Sequence, residues 1–410
     1  MPSSRRGARA ALLVLSILAL AACGGGDAPP IEPDAGALPV DAGPPPGRDA
    51  GPRTDAGPVM PMDPGACDTW GSAPEGAPLE GLSEGRWTWV DVPEAHCMDG
   101  SSTGFGVRLG TSPRLMMYLE GGGLCFDAVT CAGVANPDGF SATRFRAVES
   151  DLDAYGIFSK TDASNPFRDW TVVYVPYCSG DVHGGTRVDG FEGREQVGYL
   201  NVGRFLSRLV PTFRDVHPVE RAVLIGASAG GLGALANYDQ VQRAFECTPV
   251  DLIDDSGPIL GDDTLRPCLQ QKAIDLFGLP VPADCPQCAL PDGGGLSSLW
   301  TYLTLRYPER RFALLSNTRD QTMRQFFGIG LSPRCNFPIG MSGEVYEAGL
   351  IDLRDRVLSP HDRIHTFFVD GDRHTFVYEQ LGRVTSGGTT LSAWLGAMLD
   401  GDASWSNVAP

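Results

Sequence analysis

The apolar run Arg221-Ala222-Val223-Leu224-Ile225 passes without a break into Gly226-Ala227-Ser228-Ala229-Gly230, and that in turn into Gly231-Leu232-Gly233-Ala234-Leu235-Ala236. The first segment reads as a short buried strand and the last as a helix start, so the five residues between them must turn sharply. Glycines two positions to each side of Ser228 remove the side chains that such a turn would bring into collision. A chain built around this segment is committed to strand-turn-helix units, with the serine hydroxyl lifted clear of the sheet.

Other short apolar runs repeat the pattern. Leu115 to Leu119 leads into Glu120-Gly121-Gly122-Gly123, and Trp170 to Val175 ends at Pro176-Tyr177-Cys178-Ser179-Gly180-Asp181. A helical stretch from about Val197 to Leu209 precedes the Ser228 strand, and Val250 to Ile253, Arg311 to Ser316 and Ile364 to Val369 supply three further strands. Strands that alternate with helices predict an α/β fold, a doubly wound and mostly parallel sheet with helices on both faces and long loops. Ligands in such sheets bind at the carboxyl ends of the strands, where these loops should meet.

G-x-S-x-G at a strand-to-helix turn is the arrangement of a nucleophile elbow, although the pentapeptide alone is weak in a chain with 52 glycines. Its chemistry needs backbone amides aimed at the oxygen that gains negative charge, and the glycine turn after Leu119 can supply them without side chains in the way. The amides of Gly122, Gly123 and Ala229 are the expected oxyanion hole, Ala229 gaining from the positive end of its helix. A nucleotide-phosphate loop fails on order, since no G-x-G-x-x-G with an acidic residue about twenty positions later is present. The base should be a histidine late in the chain. His365 falls inside a strand and His361 before it, whereas His374 follows the turn Asp370-Gly371-Asp372-Arg373 and reaches the carboxyl edge. Two acids fit the fold: Asp255, ending the strand after the elbow, and Asp320, after the next strand. The later position is the commoner arrangement and Gln321 begins a helix pattern, so Asp320 is the expectation and Asp255 the alternative. The group predicts a serine hydrolase.

The termini add location. Arg5, Arg6 and Arg9 precede an apolar run from Ala10 to Leu20 that ends in Leu20-Ala21-Ala22-Cys23. That reads as a signal peptide over residues 1–22 with a lipobox, leaving Cys23 for lipidation and the protein exported, at an outer membrane or cell surface. Residues 23–66 are rich in Pro, Gly, Ala and Asp, with Asp-Ala-Gly at Asp34, Asp41, Asp49 and Asp55, and form a tether that buries too little apolar surface to fold. Residues 67–410 make the catalytic domain. With Cys23 set aside, an even number of the 11 cysteines remains for disulfides in an oxidising compartment, which is also the preferred reading of Cys285-Pro-Gln-Cys288 over half a zinc site. A net charge of −18 argues against nucleic acid or anionic membrane as a ligand, leaving the lipid anchor as the membrane contact.

Several separated motifs resemble one family in order. Tyr118-Leu-Glu-Gly-Gly-Gly-Leu-Cys125 with Cys131 is similar to the Leu-Glu-Gly-Gly-Trp-Tyr-Cys segment of the pectin acetylesterase and Notum carboxylesterase family. Gly156-Ile-Phe-Ser159, Asn165-Pro166, Val175-Pro-Tyr-Cys-Ser-Gly-Asp-Val-His183, Gly226 to Gly231 with Asn237, Asp255-Ser-Gly257, Asp320-Gln321 and His374-Thr375 continue it. The resemblance implies an α/β-hydrolase fold, ester hydrolysis through an acyl-serine without metal or organic cofactor, and a Cys125–Cys131 pair that stiffens the oxyanion loop. Gly123-Leu124 replaces the family's aromatic pair beside the acyl pocket, so acyl preference does not carry over. The expected substrate is an O-acetyl or other short acyl ester on a polysaccharide. The alternatives are a broader carboxylesterase, a lipid-ester hydrolase, a polyester depolymerase, or a non-catalytic glycan-binding lipoprotein.

Overall fold

A computed structural model describes residues 61–62, 76–289 and 295–410. The expected signal peptide, Cys23, the tether and the domain start at Cys67 lie outside the described residues. Within them the chain builds an eight-stranded sheet: β1 (Trp87–His96), β2 (Ser102–Arg108), β3 (Arg114–Leu119), β4 (Thr171–Val175), β5 (Arg221–Ala227), β6 (Val250–Asp255), β7 (Phe312–Asn317) and β8 (Ile364–Val369). The spatial order is β1-β2-β4-β3-β5-β6-β7-β8. From β4 to β8 every pairing is parallel, and the six apolar runs of the sequence fall on these strands. The pairs β1·β2 and β2·β4 are antiparallel. This edge was not expected, because β1 is half-exposed along much of its length and carries no continuous apolar run.

Side chains alternate between two cores, as the period of two along a strand requires. Leu115, Met117 and Leu119 of β3, Ala222 and Leu224 of β5 and Phe312 and Leu314 of β7 face one side. Met116, Tyr118, Val223, Ile225, Ala313 and Leu315 face the other. Helix α1 (Gly198–Pro211) covers the first face with Val202, Phe205, Leu206 and Leu209, a stripe at three- and four-residue spacing. Beside it α2 (Ala229–Ala244) adds Ala234, Leu235, Tyr238 and Val241. On the second face lie Phe145 and Leu152 from the helix at Ala142–Leu152 and Leu391, Trp394, Leu395 and Met398 from that at Leu391–Asp400. Each large apolar side chain buried this way contributes about 1.5–3 kcal/mol, so both faces hold the sheet as a fixed platform.

The connection leaving β3 goes to β4 on one side, and the chain then returns to β5 on the other. The strand order reverses there, which opens a crevice above the carboxyl ends of β3 and β5. The glycine turn after Leu119 and the turn at Ser228 both stand at this crevice.

Candidate active site

Ser228 sits between β5 and α2 with φ of 57° and ψ of −121°, a conformation that a non-glycine residue adopts only when its surroundings enforce it. Enforcement is visible in the contacts. The Ser228 amide donates to Asp255 O at 2.8 Å, and its carbonyl accepts from the amides of Gly231 and Leu232. The two glycines of the pentapeptide are required by packing: a Cβ on Gly226 would stand 1.8 Å from Gly230 O, and one on Gly230 would stand 2.1 Å from Leu119 O. The elbow therefore presses against the end of β3 and fixes the serine beside the glycine turn.

His374 lies on the loop beyond β8. Its Nδ1 is 2.7 Å from Asp320 Oδ2. Asp320 is fully buried and caps the helix Gln321–Ile329, its Oδ1 accepting from the Met323 amide at 3.0 Å. The cap leaves one carboxylate oxygen for the imidazole, which fixes the ring with a proton on Nδ1. The remaining ring nitrogen, Nε2, is buried and makes no hydrogen bond among the described residues, Ser228 included. An imidazole held this way, with a vacant basic nitrogen, suits proton transfer to and from a neighbouring hydroxyl, and such bonds commonly close only with substrate in place.

Asp255, the alternative acid, does different work. Its Oδ2 accepts the backbone amides of Phe376 at 2.6 Å and Val377 at 2.8 Å, and its Oδ1 accepts Ser256 Oγ at 2.9 Å. Ser256 Oγ in turn accepts the Thr375 amide at 3.2 Å. One corner of the chain thus holds the elbow through the Asp255 carbonyl and the histidine loop through its carboxylate. Burial pushes the Asp255 carboxyl up to about 6, against the downward pull of these hydrogen bonds and of nearby His374.

The glycine turn is tied back through its carbonyls. Glu120 O meets His183 Nε2 at 2.8 Å, Gly122 O accepts from the Ala135 amide at 3.0 Å, and Gly123 O accepts from Tyr177 Oη at 2.9 Å. A carbonyl only accepts, so His183 carries its proton on Nε2; burial pushes this ring down to about 4 and keeps it neutral. The Glu120 carboxyl is buried, accepts from the Tyr177 amide and Asn136 Nδ2, and is raised by desolvation. With the carbonyls engaged, the amides of Gly122 and Gly123 donate to no group among the described residues. Gly123 holds φ of 83°, a value that favours glycine. Cys125 and Cys131 are bridged just beyond the turn, Cys97 and Cys178 tie the end of β1 to the loop after β4, and Cys285 and Cys288 form a disulfide with each other.

An apolar pocket, partly open to solvent, begins at Ser228, Gly123 and Ala229. It runs between α2 and two further helices, Pro267–Phe277 and Gln321–Ile329, which contribute Leu269, Ala273 and Phe277, and Met323, Phe326 and Phe327. Apart from Ser228, only Gln270 and Lys272 bring polar side chains to its lining among the described residues. The Gln270 side chain is already engaged with Leu265 O and the Leu296 amide, and the Lys272 ammonium rests 4.8 Å from the Phe126 ring.

Of the other histidines, His365 lies within β8 with its ring against Trp405, and His361 precedes that strand, as their positions in the sequence suggested. Sequence reasoning missed His183, the clamp at Asp255 and the apolar pocket. His183 closes the motif Val175–His183, but its bond to a carbonyl 63 residues away leaves no local signal.

Residues 86–273 match the family model described as Pectinacetylesterase. The palmitoleoyl-protein carboxylesterase NOTUM of Schmidtea mediterranea is 35% identical over 162 residues, covering 37% of this chain and 29% of that protein. Pectin acetylesterase 4 of Arabidopsis thaliana is 29% identical over 195 residues, covering 46% of this chain and 44% of that protein. The chain thus spans less than half the length of these curated relatives. The crystal structure of the Wnt deacylase Notum from Drosophila superimposes with a TM-score of 0.56 at 19% identity, over 78% of this chain and 95% of that one, which shows a shared fold.

Proposed function

As a chain with a pectinacetylesterase-family domain across residues 86–273, this protein is, we propose, a serine carboxylesterase that cleaves esters of aliphatic acids. Ser228 is the nucleophile, His374 the general base and then acid, and Asp320 the residue that orients the imidazole and stabilises it when charged. His374 Nε2 takes the hydroxyl proton as Ser228 Oγ attacks the ester carbonyl. The amides of Gly122, Gly123 and Ala229 receive the negative charge on the carbonyl oxygen. The alcohol leaves with the proton from His374, and water then repeats the sequence on the acyl-serine to release the acid.

The observation that carries this reading is the apolar pocket that opens at Ser228 and at two of the amides assigned to the oxyanion. An acetyl group on Ser228 leaves much of that lining, which extends to Phe277 and Phe327, without contact. Each further methylene buried there contributes about 0.8 kcal/mol, so the pocket favours acyl chains longer than the acetyl or short groups expected from sequence. The name of the planarian relative, a palmitoleoyl-protein carboxylesterase, is in keeping with this. The second reading, deacetylation of a polysaccharide, is favoured by the family match and by the lipobox at Cys23 and the tether over residues 23–66 that the sequence leads one to expect. Hydrolysis of nitrophenyl acetate, butyrate, octanoate and palmitate by wild type and Ser228→Ala tests both. A rise in kcat/KM with chain length that vanishes in the variant supports the first reading. A maximum at acetate supports the second, and full activity in the variant refutes the nucleophile.

A further inference from the structure

Cys97, Cys178, Cys125, Cys131, Cys285 and Cys288 are paired, and Cys247 is also disulfide-bonded. A chain with this set of bridges matures where thiols are oxidised. Two described cysteines stand outside the set: Cys268, exposed in the first turn of the helix Pro267–Phe277, and Cys335, buried just beyond the helix Gln321–Ile329. They are neighbours. The two thiols are close enough to perturb one another, and Cys268 Sγ lies 3.7 Å from Gly330 O, at the end of the second helix and five residues before Cys335. Cys335 is also one of the few non-glycine residues with positive φ, at 52°, a strained conformation that persists where its surroundings require it.

We propose that Cys268 and Cys335 are a disulfide site, oxidised in the mature protein, whose bridge clamps together the two helices that wall the apolar pocket. The exposed Cys268 thiolate attacks a disulfide of an exported thiol oxidase or a low-molecular-weight disulfide, forming a mixed disulfide and releasing one thiolate. Cys335 gives its proton to solvent, attacks the Cys268 sulfur and expels the second thiolate. Two cysteine thiols are oxidised and one external disulfide is reduced to two thiols, so electrons and protons balance. Burial holds the Cys335 thiol up at about 12, which makes Cys268 the sulfur through which oxidation enters. Once closed, the bridge fixes the separation between Leu269, Ala273 and Phe277 on one wall and Met323, Phe326 and Phe327 on the other.

The bridge itself does not depend on the proposed activity; its effect on acyl choice rests on that reading. Full-length protein exported to an oxidising compartment is alkylated without reduction, digested and mapped by mass spectrometry. The site predicts a linked pair of peptides containing Cys268 and Cys335, two hydrogens lighter than the separate thiols. Alkylation of both cysteines in folded, exported protein would overturn it. The Cys268→Ser variant, altered at an exposed position, should leave Cys335 reactive after unfolding while the other bridges remain. In the Cys268→Ser/Cys335→Ser variant, acetate hydrolysis stays within about twofold and discrimination among long acyl chains weakens by roughly tenfold. An unchanged chain-length profile overturns the clamp. A mapped bridge in a protein that hydrolyses no ester refutes the esterase reading and leaves the site standing.

Discussion

Asparagine at position 255 and asparagine at position 320 should have opposite consequences, although both replace a buried carboxylate within reach of His374. At Asp255 the amide oxygen takes the place of Oδ2 and still accepts from Phe376 and Val377, while the new amide nitrogen donates to Ser256 Oγ. What is lost is charge. Asp255 is raised from 3.8 to about 6, and at 1.36 kcal/mol per pH unit its ionised form costs the fold about 3 kcal/mol at neutral pH. The favourable contribution is complete below pH 4 and disappears as pH climbs through 6. Nearby Asp254, Tyr378 and His374 remain in the variant, so the difference between the two proteins isolates position 255. Asp255→Asn should therefore match wild type near pH 4 and exceed it by up to about 3 kcal/mol at pH 7. Its kcat should stay within about tenfold of wild type, because the histidine loop keeps both anchors. Asp255→Ala orphans two buried amides, a loss of about 2–6 kcal/mol against the gain from removing the charge. Asp320→Asn removes the partner that sets the His374 tautomer, and kcat should fall by about four powers of ten. Urea unfolding from pH 4 to 8, with kcat on a nitrophenyl ester, reads both effects. A constant stability difference across that range would refute the electrostatic argument. A collapse of activity in Asp255→Asn with activity kept in Asp320→Asn would exchange the two roles.

Three further substitutions probe the neighbouring parts. Ala273→Trp places a large ring in the pocket wall, and kcat/KM for palmitate should drop by about 10- to 100-fold while acetate changes little, as a chain-length series will read. His183→Gln removes a buried ring held down to about 4; the wild type loses stability as pH falls from 6.5 towards 4, by about 3 kcal/mol, and the variant should lack that acid-dependent loss in unfolding titrations. Gly230→Ala puts a methyl 2.1 Å from Leu119 O and 2.9 Å from Glu120 O. Backbone must shift at the join of the elbow and the glycine turn, so kcat should fall by at least about 100-fold or soluble protein should disappear, seen by activity and expression together.

Strands buried on both faces were legible because β3 to β8 carry continuous apolar runs, and a run of that length ending in glycine or aspartate has few other readings. The edge pair was not, since β1 mixes Trp, Thr, Asp and Glu along a half-exposed surface. Ser228, Asp320 and His374 announce themselves by residue type at the ends of readable strands. Asp255 and His183 act on backbone atoms of loops 121 and 63 residues away, and hydrogen bonds to backbone atoms leave no trace in side-chain identity. The pocket was hidden for a related reason. Its walls come from helices whose leucines and phenylalanines look like ordinary core until the fold shows that they enclose open space.

Phosphonylation of the folded protein by a fluorophosphonate tests most directly whether Ser228 is a nucleophile activated by His374. Digestion and mass mapping should find one adduct, on Ser228, formed at a rate that falls by several powers of ten in His374→Ala and absent from Ser228→Ala. Adduct on another serine, or a His374→Ala protein labelled as fast as wild type, would contradict it.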